Sequence, residues 1–422
     1  MDESTNTNIP KWINVDYFKP ILKNDGEDYR KIMKFTPVAA IGPGENFVSV
    51  MLRIHLDLEL KDGSKKHKTY VMKTMLEDEA GSDVIERLEL FPKELDMYGI
   101  FLPAFEKLYK DAGKPVQFAP RCLLTETKGN RMNFVFEDLS VKGYRNVDRI
   151  KGLNMDQMSR ALQKLAEFHA ASVVYYEQRG PYPEKYKFGF VQETDYAHQK
   201  ELFEMRIIQF KEAMKGWGLK DVDKYFKKLL TFEQCWKCMM KNVRETSRNS
   251  FNVLNHADFW SSNVMYTFLE NGTVDDVMLL DFQMCKWGSP VEDLIFMITV
   301  SAAKDIRIKE YEHFVAIYHE RLVECLKVLN YKNPLPKLRD LQMDMYRDNN
   351  TFYAMYSVLN HLPLILLPPD KDSTVASFYS PNEDGQRFRR KIYTNPHYKA
   401  AMLDILPFYY NRGIFNFTDF DE

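Results

Sequence analysis

Several features that define whole classes of protein are scarce in this sequence. Its 422 residues include only five cysteines, too few and too scattered for a disulfide framework. The 58 lysines and arginines almost balance the 60 aspartates and glutamates, which argues against nucleic-acid binding through general electrostatics. The polar, acidic N-terminus predicts no signal peptide, and the longest apolar run, near 356–367, is too short to cross a bilayer. We therefore expect a globular cytoplasmic protein that binds neither nucleic acid nor membrane and needs no obligate protein partner.

The first third of the chain has the alternating pattern of a β-hairpin. Apolar residues recur at almost every second position over 50–60, which predicts a half-buried strand. Turn-forming residues at 61–64 lead into a returning strand over 68–75. Lys73 lies inside this second strand. It is either an edge or snorkelling lysine or a ligand for phosphate oxygens.

Two neighbouring features bear on a phosphate-binding role for Lys73. A glycine-rich turn with Gly44 and Asn46 precedes the hairpin. Its backbone N–H groups could approach a phosphate, although an ordinary surface turn explains the pattern equally well. Glu94 lies at the start of a helical pattern that Pro103 should kink or break. In the first helical turn, Glu94 is either favoured by the helix dipole or paired with Lys73.

The chain then changes character. Two more short strands are predicted before residues 137–139, and a run of charges and glycines follows them. From Met155 onward, helical periodicity dominates. We therefore place a domain boundary after residue 138, which divides the chain into a β-rich part, 1–138, and a helical part, 139–422.

The most informative stretch contains His256, Asp258 and Asn263 and is followed by Asp281. An Asn-Gly pair at 271–272 predicts a tight antiparallel hairpin, whose outer ends bring Asn263 and Asp281 together. An amide oxygen and a carboxylate suit Mg²⁺, which completes its shell with substrate phosphates. Asp258 would then be free to accept a proton from an attacking hydroxyl. Taken singly, each residue also has a structural explanation: a cap or ion pair for Asp281, a turn for Asn263 and the core for His256.

In order and spacing, these motifs resemble the ecdysteroid kinase-like family, which is itself similar to choline and aminoglycoside kinases. The matching pieces are 44–49, Lys73, Glu94, 137–139, 256–263 and 280–283. The resemblance implies an α+β, bilobal, protein-kinase-like fold. A small β-rich N-lobe would be followed by a large helical C-lobe, with ATP and Mg²⁺ in the cleft.

The resemblance also implies roles for the residues on the nucleotide side. Lys73 would hold the α- and β-phosphates, and Glu94 would orient Lys73. Gly44 and Asn46 belong to the turn that faces the phosphates. The stretch from Glu137 to Leu139 would form the hinge that contacts adenine.

For the chemical step, the resemblance makes Asp258 the catalytic base and gives Asn263 and Asp281 to Mg²⁺. The sequence departs from the family pattern nearby. Ala257 and Ser262 stand where the family commonly has glycine and asparagine, which leaves these roles intact.

The stretch after Asp281 indicates the kind of acceptor. An apolar helix begins near Val291, which leaves no activation segment to display a peptide and disfavours a protein kinase. Asp293 is expected to cap or hydrogen-bond the catalytic loop. Aromatic residues in the later helices suit an apolar alcohol such as a steroid, an ecdysteroid or a xenobiotic, although core packing explains them equally well. We therefore expect ATP- and Mg²⁺-dependent phosphorylation of a small-molecule hydroxyl; the alternative is a catalytically silent kinase-like protein that binds a ligand.

Overall fold

A computed structural model describes residues 9–40, 50–74, 89–128, 131–189, 192–244, 251–368, 377–378 and 380–414. These residues form two compact units. The first contains those before residue 75 and those within 119–145; the second contains those within 89–118 and nearly all from 146 onward. By packing, 89–118 therefore belongs with the later part of the chain. The lobe boundary after residue 138 stays a prediction.

The first unit is a five-stranded antiparallel sheet with one helix. Its strands lie in the order β1-β2-β3-β5-β4. The elements are α1 (Val15–Asn24), β1 (Tyr29–Ala39), β2 (Val50–Leu60), β3 (Lys65–Thr74), β4 (Cys122–Lys128), β5 (Arg131–Glu137) and a 3₁₀ turn (Leu139–Lys142).

The predicted hairpin of β2 and β3 is confirmed, with Leu52 opposite Met72 across the two strands. The alternation in β2 arises because one face of the strand packs inward: Leu52, Ile54, Leu56 and Leu58 are all buried. Residues of α1 complete this core.

The second unit is mostly helical. Its helices are α2 (Leu90–Asp96), α3 (Leu102–Asp111), α4 (Met155–Arg179), α5 (Tyr196–Lys215), α6 (Val222–Phe226), α7 (Phe232–Arg244), α8 (Val291–Ser301), α9 (Lys304–Arg307), α10 (Tyr311–Val328), α11 (Leu338–Asp344), α12 (Asp348–Tyr356), α13 (Leu362–Ile365), α14 (Glu383–Thr394) and α15 (Pro396–Asn411). Its strands are β6 (Val253–Asn255), β7 (Val264–Phe268), β8 (Val274–Leu279) and β9 (Lys286–Gly288).

The core of this unit lies around α8, in which every residue from Val291 to Ser301 is buried. The expected α+β, kinase-like fold class is confirmed by the N-terminal antiparallel sheet and the mostly helical remainder. Within the described part of the chain, the helices are too short or too polar to cross a membrane.

The Asn-Gly signal is borne out by a hairpin between β7 and β8. Val264 pairs with Leu279 in antiparallel register, and Gly272 in the turn has φ +85°. Beyond the paired strands, the Leu280 N–H donates to the Asn263 carbonyl at 2.9 Å. The hairpin therefore brings residue 263 beside the segment that carries Asp281.

Candidate active site

In the first unit, Lys73 lies on the central strand of the sheet. It is opposite Met51 on one neighbouring strand and Phe134 on the other, and it is only 4% exposed. An edge or snorkelling role is therefore wrong. Because side chains alternate along a strand, Lys73 projects from the face opposite to Met72, which is part of the core. This arrangement holds the cation on a rigid support.

The predicted hinge begins at Glu137, the last residue of β5, and the carboxylates of Glu137 and Asp138 are bonded within the first unit. Glu137 accepts a hydrogen bond from the Arg121 N–H at 2.9 Å and pairs with Lys142 at 2.7 Å. Asp138 is bonded to Arg53 at 2.9 Å. Leu139 is buried. Gly44 and Asn46 lie outside the described residues.

In the second unit, Glu94 is buried in α2, with an exposed fraction of 1%. Because α2 starts at Leu90, Glu94 lies beyond the first turn, so the expected first-turn position is wrong. The break expected at Pro103 is confirmed: a π turn (Met97–Phe101) interrupts the helix, and α3 restarts with the proline in its first turn.

The loop after β6 is shaped by the carboxylate of Asp293. Its Oδ2 accepts the His256 N–H at 2.7 Å, and its Oδ1 accepts the Ala257 N–H at 2.8 Å. Ala257 has φ +61°, a left-handed conformation that favours glycine. Two charge-assisted hydrogen bonds thus hold a backbone conformation that alanine alone disfavours. The expected role of Asp293 as a hydrogen-bond partner of this loop is confirmed.

A buried polar chain orients Asp293 in turn. The Tyr318 hydroxyl lies 2.7 Å from His169 Nδ1, and His169 Nε2 lies 3.2 Å from Asp293 Oδ2. Burial lowers the pKa of His169, so its ring is neutral near pH 7. In that form it accepts from Tyr318 and donates to Asp293. Sequence reasoning missed His169 and Tyr318 because they lie on α4 and α10, far from the loop in sequence, with no local motif.

The loop ends with the side chains assigned to catalysis and metal binding. Asn263 Nδ2 donates to the Asp258 carbonyl and to Asp258 Oδ2, both at 2.9 Å. Because these bonds use both amide hydrogens, the orientation of the amide is fixed, and Asn263 Oδ1 takes part in neither bond. His256 Nε2 donates to the Leu280 carbonyl at 2.9 Å and ties the loop to the residue before Asp281.

The electrostatics of Asp258 distinguish it from an ordinary surface carboxylate. Burial, together with the nearby negative charge of Asp281, raises the pKa of Asp258 to about 7. The hydrogen bond from Asn263 opposes this rise only in part. A carboxylate with a pKa near neutrality is well matched to accepting a proton from an alcohol. Asp258 is therefore linked to Asn263 by a hydrogen bond and to Asp281 by charge repulsion, and we call these three residues the coupled group.

The donor set fits a magnesium ion. Asn263 offers a neutral oxygen of fixed orientation, and one oxygen of Asp281 is held by Gln283 Nε2 at 3.2 Å. Among the described residues, no three His, Cys, Asp or Glu side chains come together as a metal cage. Mg²⁺ does not need one, because it commonly binds one or two carboxylates together with substrate phosphates and water.

The segment after Asp281 is short and ordered. It contains a 3₁₀ turn (Phe282–Met284) and β9, whose Trp287 pairs with Leu254 of β6. Lys286 is buried and bonded to Glu292 at 2.9 Å and to the Tyr353 hydroxyl at 3.0 Å. These contacts fix the segment against α8 and α12. The structure therefore agrees with the expectation that no long activation segment follows Asp281.

A loop that presents His-x-Asp-x-x-x-x-Asn, a hairpin and a following aspartate are together the features of a kinase-like phosphotransferase. The ecdysteroid kinase-like family matches residues 43–331, well over half of the chain. The chain belongs to the ecdysteroid kinase-like family. At the level of the whole family, this supports a kinase-like transferase. No curated protein matches the chain.

Proposed function

We propose that this protein transfers the γ-phosphoryl group of ATP to the hydroxyl of a small, apolar alcohol. The observation that carries the proposal is the coupled group of Asp258, Asn263 and Asp281. A proton acceptor with a raised pKa lies in hydrogen-bond contact with an amide that also suits a magnesium ion. Such chemistry depends on positioning and charge neutralisation more than on covalent catalysis.

Each residue has a defined part in this proposal. Asp258 orients the acceptor hydroxyl and takes its proton as the oxygen attacks the γ-phosphorus. The bond from that phosphorus to the β-phosphate oxygen breaks, and ADP leaves. Asn263 and Asp281 would hold Mg²⁺, which, when bound, neutralises negative charge on the phosphates. Lys73 would bind the α- and β-phosphates, positioned by Glu94. The acceptor is a steroid-like or xenobiotic alcohol, and the short, ordered segment after Asp281 favours such a molecule over a peptide.

The direct test is Asp258→Ala, with Asp305→Ala as a matched control because Asp305 is exposed on α9. In the mutant, nucleotide affinity should stay within about twofold, while turnover should fall by at least about 10²-fold, the lower end of general-base contributions. Phosphorylated products are detected by mass spectrometry over panels of steroids, amino alcohols and phenols. Full activity in Asp258→Ala would remove the proposed role of this residue.

The same experiment separates the alternative, a silent ligand-binding protein. That protein would show a Mg²⁺-dependent thermal shift with ATP in both the wild type and the control. It would, however, add phosphate to no compound in any panel. Phosphate incorporation into protein substrates, with none into small alcohols, would instead support a protein kinase.

A further inference from the structure

The turn Ser261–Asn263, which we call the catalytic turn, is hydrogen-bonded to a stretch of chain that no catalytic motif includes. We call residues 146–153, which run just before α4, the strap. At its start, Asn146 Nδ2 donates to the Ser262 carbonyl at 2.9 Å and to the Val264 carbonyl at 3.1 Å. These two carbonyls flank Asn263. One side chain therefore hydrogen-bonds the backbone on both sides of Asn263, the proposed metal ligand.

The far end of the strap holds the beginning of the same turn. The Leu153 N–H donates to the Ser301 carbonyl at 2.7 Å, and the Ala303 N–H donates to the Leu153 carbonyl at 2.9 Å. Ser301 Oγ in turn accepts the Ser261 N–H at 2.9 Å. Ser261 is thus tied to α8, where the strap is anchored.

The approach of the strap to the residues that follow α8 is close enough to require glycine. Gly152 has φ +75°, and a Cβ at this position would lie 2.8 Å from backbone atoms of Ala303. Both the space and the conformation exclude a side chain. The close backbone contact at Gly152 therefore fixes the path of the strap, and Asn146 contacts the catalytic turn from the start of this strap.

We propose that Asn146 is a positioning residue for Asn263, and through it for the magnesium ion. The inference rests on the proposed function. Asn146 touches no reacting atom; it sets the backbone position of residue 263, while Asp258 sets the rotation of the Asn263 amide. Mg²⁺ demands near-ideal octahedral geometry at about 2.0–2.1 Å, so a small shift of this ligand weakens binding. Outer contacts of this kind are typically worth about 10- to 100-fold in metal affinity.

The test measures metal binding without turnover. Mn²⁺ is titrated, with electron paramagnetic resonance as the readout, into the full chain saturated with a non-hydrolysable ATP analogue. The variants are Asn146→Asp, which keeps the shape but removes both donors, and Asn146→Gln, which keeps an amide. The control is Asn382→Ala, because Asn382 caps α14 through a 2.9 Å bond to the Gly385 N–H, away from the catalytic turn.

We expect Asn146→Asp to weaken Mn²⁺ binding by about tenfold, Asn146→Gln to weaken it less, and Asn382→Ala to leave it unchanged. Affinity for the analogue without metal should be equal in all four proteins. Equal Mn²⁺ affinity in wild type and Asn146→Asp would overturn the positioning role and leave the proposed function standing. If wild type itself binds no Mn²⁺ with the nucleotide analogue, the proposed function fails. Thermal unfolding of every variant is measured to detect any loss of folding. Because Asn146 is exposed, its variants should unfold like the control.

Discussion

Asp293 offers the sharpest test of how the catalytic loop is held. The change Asp293→Asn keeps the size of the side chain but leaves only one oxygen to accept hydrogen bonds. The amide nitrogen must then face a donor, either the Ala257 N–H or the groups bonded to Oδ2. One charge-assisted bond is lost, worth about 1.5–3 kcal/mol, and a buried N–H is left without an acceptor, which costs about 1–3 kcal/mol. Because these terms overlap, we expect the free energy of unfolding to fall by about 3 kcal/mol.

The backbone conformation of Ala257 allows a second test of this prediction. A left-handed conformation costs a non-glycine residue about 1–2 kcal/mol. Once the carboxylate no longer holds the Ala257 N–H at full strength, Ala257→Gly should remove most of that cost. The double variant should recover about 1 kcal/mol relative to Asp293→Asn alone. Turnover should recover with it, because the loop that carries Asp258 regains its path.

The assay is urea unfolding of the full chain, followed by fluorescence and circular dichroism, with alcohol phosphorylation measured on the same samples. The exposed Asp305 supplies the control Asp305→Asn, which should change the free energy of unfolding by less than about 0.5 kcal/mol. If Asp293→Asn is as stable as this control, the carboxylate does not hold the loop. If Ala257→Gly gives no recovery, the left-handed backbone at 257 is not what Asp293 supports.

Two further predictions concern buried titratable side chains. Lys286→Met should destabilise the protein by about 3–5 kcal/mol in urea unfolding, because the buried Glu292 carboxylate then keeps only the Tyr353 hydroxyl as a partner. The double variant Lys286→Met with Glu292→Leu should recover most of this loss. Equal stability of the single and double variants would contradict the reasoning. Burial, with a contribution from Arg206, lowers the pKa of His361 to about 3, so this ring is neutral when folded but charged below pH 6.5 when unfolded. Stability should therefore fall by about 1–2 kcal/mol between pH 7 and pH 5, and His361→Phe should flatten that part of the pH profile; an unchanged slope would show that His361 does not contribute.

Sequence patterns predicted those features whose cause is local. The alternation over β2 is visible because one face of the strand is buried, and Asn271-Gly272 is visible because the turn needs a positive φ. The catalytic loop was found because its residue types recur at fixed spacing. Its link to Asp293 was also expected, and both backbone bonds are present.

The supports of that loop have no such pattern. His169 and Tyr318 act through hydrogen bonds between α4, α10 and α8, which only tertiary packing brings together. Asn146 bonds backbone carbonyls more than a hundred positions away, and a carbonyl acceptor leaves no trace in residue identity. The start of α2 was misplaced for a related reason: Glu89 provides no side-chain cap, so no capping residue marks the helix start.

The short ordered segment after Asp281 also bears on how such an enzyme could be controlled. Between Phe282 and Pro290, Ser289 is the only residue with a hydroxyl, and its Oγ lies 3.4 Å from the Val291 N–H at the start of α8. The second half of the segment is fixed by β9, and α8 begins directly after it. Phosphorylation of this segment could therefore occur only at Ser289 Oγ, which lies at the start of α8. Under the proposed function, a rate that is not switched at this segment would follow the concentrations of alcohol, nucleotide and enzyme.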